Sequence, residues 1–214
     1  MKPWNILIAC EESQVVCIEM RKRGHNAFSC DIIDCSGGHP EWHIKGDALE
    51  LLKLKWDMII AHPPCTYMSK AGARWMYPKS GELNAERYAA AMDAKKFFMQ
   101  FLNADCPRIA VENPVPLRVV NLPKCTQIIQ PYEYGHPYSK ATCLWFKGLP
   151  PLKPTNILRS YQPFLPSNTG AYSRGGGGSR GIAHDAKTAA KTFFGVGRAM
   201  AEQWTPDLNA EVAV

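Results

Sequence analysis

The stretch Asp57-Met-Ile-Ile-Ala-His-Pro-Pro-Cys-Thr-Tyr-Met-Ser69 places a cysteine on a double-proline turn at the point where an apolar run ends. A second apolar run, Arg108-Ile-Ala-Val-Glu-Asn-Pro114, ends in the same way with a carboxylate. Short apolar runs that end at turn residues are typical of the buried strands of a parallel sheet. Because ligands of an open α/β sheet bind outside the carboxyl ends of the strands, we expect Cys65 and Glu112 to lie together over one substrate.

A thiol beside a carboxyl is typical of nucleophilic catalysis with an acid partner. The attacking species is the thiolate, so the pKa of Cys65, about 8.5 for a free cysteine, should be lowered locally. Turn amides, or the cations of His62 and Lys140, are the groups that we expect to lower it. The alternative is that Cys65 is a small buried core residue, which is the common role of a free cysteine. The matching turn at Glu112 favours the catalytic interpretation.

The residues around the two turns form recognisable motifs. Pro-Pro-Cys65 with Ser69 four residues later, and Glu112-Asn-Pro farther along, resemble the catalytic motifs of the DNA cytosine-C5 methyltransferases. The resemblance implies a class I S-adenosylmethionine-dependent methyltransferase fold, a Rossmann-like α/β domain whose central, mostly parallel sheet is flanked by helices. It also implies methylation of cytosine C5 in DNA, with Cys65 adding to C6 and Glu112 acting at N3. Asn113 and Lys140 are then candidates for positioning the base.

The first thirty residues follow a strand, helix, strand pattern that is typical of nucleotide-binding α/β folds. Asp31 comes directly after the second strand, where an acid can bind a ribose hydroxyl, although a capping acid on a loop is the alternative. The apolar spacing predicts strands over 4–9 and 27–30 and helices over 13–23, 82–103 and 188–204.

The resemblance assigns a set of residues to S-adenosylmethionine. It implies that Asp31 binds the ribose and that Asp47 lies near the adenine amine. The first loop, expected to face the methionine end of the cofactor, contains no glycine, whereas the family has a glycine-rich turn there. The cofactor-binding residues that we expect are Cys10, Glu11, Glu12, Ser13, Asp31, Asp47 and Pro63.

Residues 70–79 combine glycine, cations and aromatic side chains directly after the proposed nucleophile. A mobile loop at this point is suited to closing over DNA whose target base is flipped out of the duplex. Ser69, Lys70 and Arg74 are the residues here that we expect to bind nucleic acid. The alternative is a surface loop whose aromatic side chains pack locally.

The composition changes to proline, serine and glycine over residues 147–187. Glycine lets backbone amides approach phosphate closely, and Arg174 and Arg180 add neutralising charge. We expect a reduced DNA-contacting segment here, with a flexible loop as the alternative. The family commonly carries a large target-recognition domain, for which this chain has no room.

The composition indicates one domain over residues 1–214, with a formal net charge of +6 that favours polyanionic partners. We expect a cytoplasmic protein whose eight cysteines are reduced thiols, of the small type that phages often encode. Soft ligands recur at short spacing in one segment, but the segment has no Cys-x2-Cys pair and is interpreted as a strand end plus a loop without metal. Those residues are Cys30, Cys35, His39 and His43.

Three alternative functions stay open. His62-Pro-Pro-Cys65 also resembles the Asp/Asn-Pro-Pro-aromatic turn of amino-methyltransferases, although it lacks the leading acid or amide and the stacking aromatic. The same covalent chemistry would modify cytosine in RNA or a free nucleotide. The glycine-free first loop is the main support for a non-catalytic protein that binds nucleic acid on a methyltransferase fold.

Overall fold

The computed structural model describes residues 1–78, 81–164 and 191–210. A seven-stranded sheet lies at the centre, in the order β3-β2-β1-β4-β5-β8-β6. Strands β1 to β5 pair in parallel, and β8 runs antiparallel to both of its neighbours. The strands of this sheet are β1 (Asn5–Ala9), β2 (Asn26–Asp31), β3 (His43–Lys45), β4 (Met58–Ala61), β5 (Ile109–Pro114), β6 (Gln127–Ile129) and β8 (Thr142–Lys147). Two short strands, β7 (Tyr138–Ser139) and β9 (Gln162–Pro163), pair separately.

Helices cover both faces of the sheet, so the predicted mostly parallel, Rossmann-like α/β fold is confirmed. In β1, Leu7 packs on the side of α4, whereas Ile6 and Ile8 pack against α1 and α5. Successive side chains of a strand point to opposite faces, and both faces are buried here, which explains the continuous apolar runs. The helices are α1 (Val15–Lys22), α2 (Ala48–Leu51), α3 (Ala73–Met76), α4 (Ala85–Leu102) and α5 (Phe194–Trp204).

The predicted strands and helices are present, but several helix ends differ from the prediction. Helix α1 begins at Val15 because Gln14 adopts a left-handed backbone conformation with φ of 59°. Helix α4 begins after Asn84, whose side chain accepts a hydrogen bond from the Arg87 amide at 2.9 Å. Helix α5 begins at Phe194, and residues 191–193 before it are not helical. Each helix thus starts where a local backbone or capping interaction sets its first turn.

The strand register brings the ends of several strands to one edge. Ala61 at the end of β4 pairs with Ala9 on one side and with Val111 on the other. The antiparallel strand β8 starts at Thr142, opposite Pro114 at the end of β5. The loops after β1, β4 and β5 therefore meet the segment that precedes β8, as expected for the ligand crevice of an open α/β sheet.

All eight cysteines are free thiols in the structure, as the sequence predicts. Over residues 1–78, 81–164 and 191–210, no helix has both the length and the apolar character needed to cross a lipid bilayer.

Candidate active site

The double-proline turn holds Cys65 at the carboxyl end of β4. The His62 amide donates to the Ala9 carbonyl at 2.9 Å and continues the strand ladder by one residue. The Asn113 side-chain amide donates to the Pro63 carbonyl at 2.8 Å, which ties the turn to the end of β5. The amides of Met68 and Ser69 both donate to the Cys65 carbonyl. The thiol is therefore carried by a turn that is bonded at both ends.

Glu112 projects from the end of β5 and pairs with His62. The His62 Nδ1 and Glu112 Oε2 atoms are 3.2 Å apart, and the two side chains are only 8% and 13% exposed. Within the described part of the chain, His62 Nε2 is buried without a hydrogen-bond partner. The sequence predicted that His62 lies beside the Cys65 thiolate and lowers its pKa, but the structure pairs the His62 ring with the Glu112 carboxyl.

His62 and Glu112 shift each other's pKa values. Burial acts to raise the pKa of Glu112, but the His62 hydrogen bond and the Lys140 charge leave that pKa below its ordinary value. Burial acts to lower the pKa of His62, yet the hydrogen bond and charge of Glu112 leave it raised. The two pKa values therefore move apart in the directions that keep the pair ionised.

The prediction that local groups lower the pKa of Cys65 is wrong. Burial, and then the negative charge of Glu112, raise the pKa of the half-buried Cys65 thiol, and Lys140 offsets only part of this increase. The sequence placed both Glu112 and the cations beside Cys65, but it did not show how deeply the sulfur is buried or which of these charges has the larger effect on its pKa. A thiolate at this position thus depends on Lys140 and on the state of Glu112.

Lys140 lies at the same edge, between the start of β8 and an aromatic cluster. Its side chain is buried, and Nζ is 5.8 Å from the ring centre of Phe193 and 6.0 Å from that of Phe164. Its backbone amide donates to Gln130 Oε1 at 2.9 Å. The structure thus brings Cys65, Glu112 and Lys140 together, as the sequence predicts.

A small pocket adjoins the acid. Its lining includes Glu112, Lys140, Thr142, Phe193 and Val196. Phe193 falls within the helix predicted over 188–204, but it lies just before α5 and lines this pocket. No signal in the sequence separates it from the apolar residues of that helix.

Asn113 is buried, and the two polar atoms of its side chain differ in their contacts. Its amide nitrogen is bonded to the Pro63 carbonyl, so the side chain holds the turn of the nucleophile. Its Oδ1 atom is buried without a partner among the described residues. An unpaired buried acceptor is costly, so Oδ1 is the atom of Asn113 that is left to accept from a ligand.

The glycine-free loop after β1 adopts backbone conformations that usually belong to glycine. Cys10 and Gln14 both have φ of 59°, in the left-handed region. The Gln14 side chain is fully buried and bridges the neighbouring loop, where Nε2 donates to the His39 carbonyl at 2.8 Å and Oε1 accepts from the His39 amide at 3.1 Å. The loop therefore forms a tight turn without glycine. Gln14 is a structural residue that the sequence did not identify.

The Glu11 side chain is bonded to the first turn of helix α1, and the contact of this residue with the cofactor stays a prediction. Its carboxylate accepts from the amides of Val16 at 2.7 Å and Cys17 at 3.2 Å, and the side chain is only 4% exposed. Helix α1 has no capping bond from Gln14, so Glu11 supplies the cap that Gln14 does not. Burial raises the pKa of Glu11, with the charge of His62 acting against this increase.

The remaining predicted cofactor residues lie around the mouth of this loop. Burial raises the pKa of Cys10, and the charges of Asp31 and Asp47 raise it further, so both carboxylates lie near that thiol. Asp31 Oδ1 accepts from the Ile33 amide at 3.3 Å. Asp47 caps α2 by accepting from the Leu49 amide at 2.9 Å, an interaction that leaves lone pairs available.

Three further cofactor candidates have specific contacts. One Glu12 oxygen is buried without a partner among the described residues, and the other is 4.0 Å from Lys191 Nζ. The Ser13 carbonyl packs so closely on Gly37 that a Cβ there would lie 2.6 Å from its oxygen. Pro63 is buried, and its carbonyl is already taken by Asn113.

The predicted nucleic-acid residues separate into two groups. Ser69 is only 5% exposed and its segment bridges to Pro116, so a direct contact of Ser69 with DNA is not supported. Lys70 and Arg74 are exposed, and the Arg74 guanidinium lies 4.7 Å from the ring centre of Trp75. Arg174 and Arg180 lie outside the described residues, as does most of the segment 147–187.

An exposed aromatic and cationic surface adjoins the Cys65 turn. We call it the 67–77 surface, and its exposed side chains are Tyr67, Lys70, Arg74, Trp75 and Tyr77. Arg87 from α4 supports it, because its guanidinium donates to the Thr66 carbonyl at 2.8 Å and lies 5.0 Å from the Tyr67 ring centre. The contribution of Arg87 was not predicted, since α4 is distant in sequence.

The histidines of the Cys30 to His43 segment are engaged in other contacts. His43 contacts Ser29 Oγ through Nδ1 and the Ile33 carbonyl through Nε2, each at 2.9 Å. His39 Nδ1 pairs with Glu41 at 3.0 Å. The described residues contain no group of three or more candidate metal ligands.

No family model and no curated protein matches the chain. One similar solved structure is described as a candidate DNA modification methyltransferase encoded within a prophage of E. coli, with 14% identity and a TM-score of 0.45 over 72% of this chain and 51% of that one. Another is the Entamoeba histolytica methyltransferase EhMeth, with 17% identity and a TM-score of 0.41 over 76% and 57% of the two chains. A mutant of Spodoptera frugiperda DNMT2 has 15% identity and a TM-score of 0.35 over 78% and 56%. The chain spans about half the length of these proteins.

Proposed function

We propose that this protein is an enzyme that methylates cytosine C5 in DNA with S-adenosylmethionine, through a covalent bond between Cys65 and C6. The observation that carries the proposal is the pairing of two reactive groups at one sheet edge. The Cys65 thiol follows β4 and the buried Glu112 carboxyl ends the adjacent parallel strand β5, with the two in electrostatic contact. A nucleophile beside an acid at the ligand edge of an α/β sheet is suited to covalent catalysis.

The chemistry assigns one task to each group. Cytosine C5 is a poor nucleophile, and addition of the Cys65 thiolate at C6 makes it reactive while N3 takes a proton from the Glu112 site. Once C5 carries its new methyl group, C5 gives its proton to solvent water and the bond between C6 and the Cys65 sulfur breaks, so the thiolate is regenerated. Lys140 supplies positive charge beside this site and is placed to neutralise the cytosine carbonyl oxygen.

The residues at the mouth of the first loop fit a cofactor that has hydroxyl and amine donors. S-adenosylmethionine, when bound, supplies a methyl group on a positively charged sulfur. Asp31 and Asp47 offer carboxylate acceptors beside Cys10, and one buried Glu12 oxygen has no partner among the residues that the structure describes. The left-handed turn at Cys10 and Gln14 gives the close backbone approach that glycine usually allows.

The 67–77 surface supports DNA as the substrate. Cations contact phosphates, and exposed aromatic rings stack on unpaired bases, so their combination suits DNA whose target base is flipped out. The net charge of +6 agrees with a polyanionic partner.

Covalent trapping tests the proposal directly. Duplex DNA that contains 5-fluorocytosine is incubated with S-adenosylmethionine and the full chain, since fluorine at C5 cannot leave as a proton and the adduct persists. We expect a denaturation-resistant adduct with the wild type and none with Cys65→Ser. Cys106→Ser is the matched control, because Cys106 precedes β5 at the opposite end of the sheet and should retain the adduct.

Each other result points to a different function. An adduct with RNA or a free 5-fluorocytosine nucleotide, and none with DNA, would move the substrate away from DNA. A methyl group on the exocyclic nitrogen, found by mass spectrometry of digested product, would indicate an amino-methyltransferase. No adduct together with no binding of S-adenosylmethionine at millimolar concentration by calorimetry would favour a non-catalytic nucleic-acid-binding protein.

A further inference from the structure

The His62 and Glu112 pair is isolated from solvent. Its Nδ1 to Oε2 contact is 3.2 Å, and both side chains are at least 87% buried. In the described part of the chain, the ring forms no hydrogen bond through Nε2, so Glu112 is its hydrogen-bond partner there. A buried ion pair is costly because both charges lose their hydration, and only close geometry and further hydrogen bonds offset that cost.

The charged groups around the pair come from four segments. Glu112 lies on β5, Glu11 follows β1, Lys140 precedes β8, and Cys65 lies on the turn after β4. The carboxylates of Glu112 and Glu11 favour the protonated form of His62, whereas Lys140 opposes it. Protonated His62 and Lys140 together favour the ionised form of Glu112.

This arrangement conflicts with a simple acid role for Glu112. A group that gives a proton to N3 must hold one, yet its neighbours keep Glu112 ionised. The pair as a whole still contains one dissociable proton, and the surrounding charges place that proton on His62. The acid of the reaction is then the pair and not Glu112 alone.

We propose that His62 is a positioning residue that holds the catalytic proton and passes it to the Glu112 carboxyl when cytosine N3 takes a proton from that carboxyl. This inference rests on the function proposed above. The initial state contains a Cys65 thiolate, an imidazolium, a carboxylate and neutral cytosine. As the sulfur bonds to C6, one proton leaves the imidazolium and one reaches N3, which leaves a neutral imidazole, a carboxylate and a neutral adduct. The net charge is unchanged, and the N3 proton returns to the pair when Cys65 leaves.

The first test measures the proton on His62 without using activity. The ring of His62 is titrated by NMR in the full-length wild type and in Glu112→Gln, with the signal assigned by its loss in His62→Asn. We expect the wild-type ring to titrate above its ordinary value of 6.5, and the Glu112→Gln ring to titrate lower. A wild-type ring that is neutral throughout pH 6 to 8 would overturn the proposal, whatever the enzyme does.

The second test compares adduct formation at several pH values. His62→Asn keeps a donor for Glu112 but cannot hold the proton, whereas His62→Ala lacks both. We expect His62→Asn to form adduct about a hundredfold more slowly than wild type at pH 8, and this loss to become smaller at pH 5.5, where direct protonation of the carboxyl from solvent is easier. Equal losses at both pH values would show that His62 only fixes the orientation of Glu112, and would overturn the proton-holding role.

The two tests separate this inference from the proposed function. If the His62 titration moves in Glu112→Gln but the wild type forms no adduct, covalent cytosine chemistry is rejected, while the shared proton of the pair stands. If an adduct forms that depends on Cys65, but the His62 titration is the same in wild type and in Glu112→Gln, only the role of His62 is rejected.

Discussion

The Cys65 thiol lies near both the negative charge of Glu112 and the positive charge of Lys140. Burial and then the Glu112 carboxylate raise the pKa of the thiol, whereas Lys140 lowers it. The same Lys140 charge lowers the pKa of Glu112. Since the proposed reaction needs a thiolate, its rate of attack should depend on a residue more than 70 positions away in sequence. Lys140 therefore has an electrostatic role in addition to its proposed contact with the base.

Replacing Lys140 should slow attack most strongly at low pH. Lys140→Gln removes the charge that lowers the Cys65 pKa, so the rise of adduct rate with pH should move to higher pH. We expect at least a tenfold slower rate at pH 7, in line with the loss of one electrostatic group from a buried site. Rates of trapping across pH provide the measurement, and Lys147→Gln at the far end of β8 is the control. An unchanged pH profile would contradict this role.

The left-handed backbone at Cys10 predicts an unusual response to substitution. A non-glycine residue in this region carries strain of about 1 kcal/mol, and glycine removes the strain but adds a comparable entropic cost to folding. Cys10→Gly should therefore leave the free energy of unfolding within about 1 kcal/mol of wild type. The β-branched variant Cys10→Val should lose about 2 kcal/mol in urea denaturation. Cys35→Val, at a loop position without positive φ, is the control and should lose much less.

The loop after β1 and helix α1 form one structural unit. Glu11 caps the first amides of the helix, and Gln14 ends the loop with a left-handed residue. Gly37 lets the next loop pack on this turn, since a Cβ there would lie 2.5 Å from the Gln14 Cβ. A set of side-chain contacts thus holds a tight turn that contains no glycine between Ala9 and Val15.

The capping role of Glu11 predicts a contrast between two variants. Glu11→Ala leaves two buried amides unpaired and should destabilise the fold by about 2 kcal/mol. Glu11→Gln keeps an acceptor and removes a buried charge whose pKa is raised by burial, so it should cost less. Urea denaturation at pH 7 measures both, with Glu50→Ala on the exposed side of α2 as the control. Equal losses in the two Glu11 variants would contradict the capping interpretation.

At the scale of the whole molecule, one sheet edge collects groups that are distant in sequence. The loops after β1, β2 and β4, the end of β5 and the segment before β8 all meet there. The 67–77 surface extends this edge outward with exposed cations and aromatic rings. A flipped base at Glu112 and a duplex on the 67–77 surface would therefore contact adjacent parts of the molecule.

This arrangement predicts a salt-dependent loss of DNA binding. The double variant Lys70→Gln with Arg74→Gln should reduce the slope of log K against log salt by about 2, since each phosphate contact contributes about 0.9. Fluorescence anisotropy with duplex DNA at several salt concentrations measures the slope. Lys55→Gln, which removes an exposed cation paired with Asp105, should leave the slope unchanged. A slope that does not change in the double variant would remove these cations from the DNA contact.

Much of the fold was predictable because its signals are local. Buried strands that end at turn residues are visible in the sequence as short apolar runs. The alternation of these runs with helical segments indicates a mostly parallel sheet. Helix ends were less accurate because they depend on contacts such as Asn84 to the Arg87 amide and the left-handed Gln14. Burial along α4 shows the same limit, since the apolar spacing predicts a helix over 82–103 but does not separate the exposed Ala89 from the buried Ala91, Phe98 and Phe101.

The sequence by itself determined the α/β fold and predicted Cys65 and Glu112 as the two reactive groups, because a motif specifies chemistry and position along a strand. Only the tertiary structure decided which charges face each group. His62 lies against Glu112 and not Cys65, Glu11 turns inward to cap α1, and Ser69 is buried. The direction of the Cys65 pKa shift follows from these neighbours. Electrostatic effects depend on distance and burial in space, and spacing along the chain does not encode either.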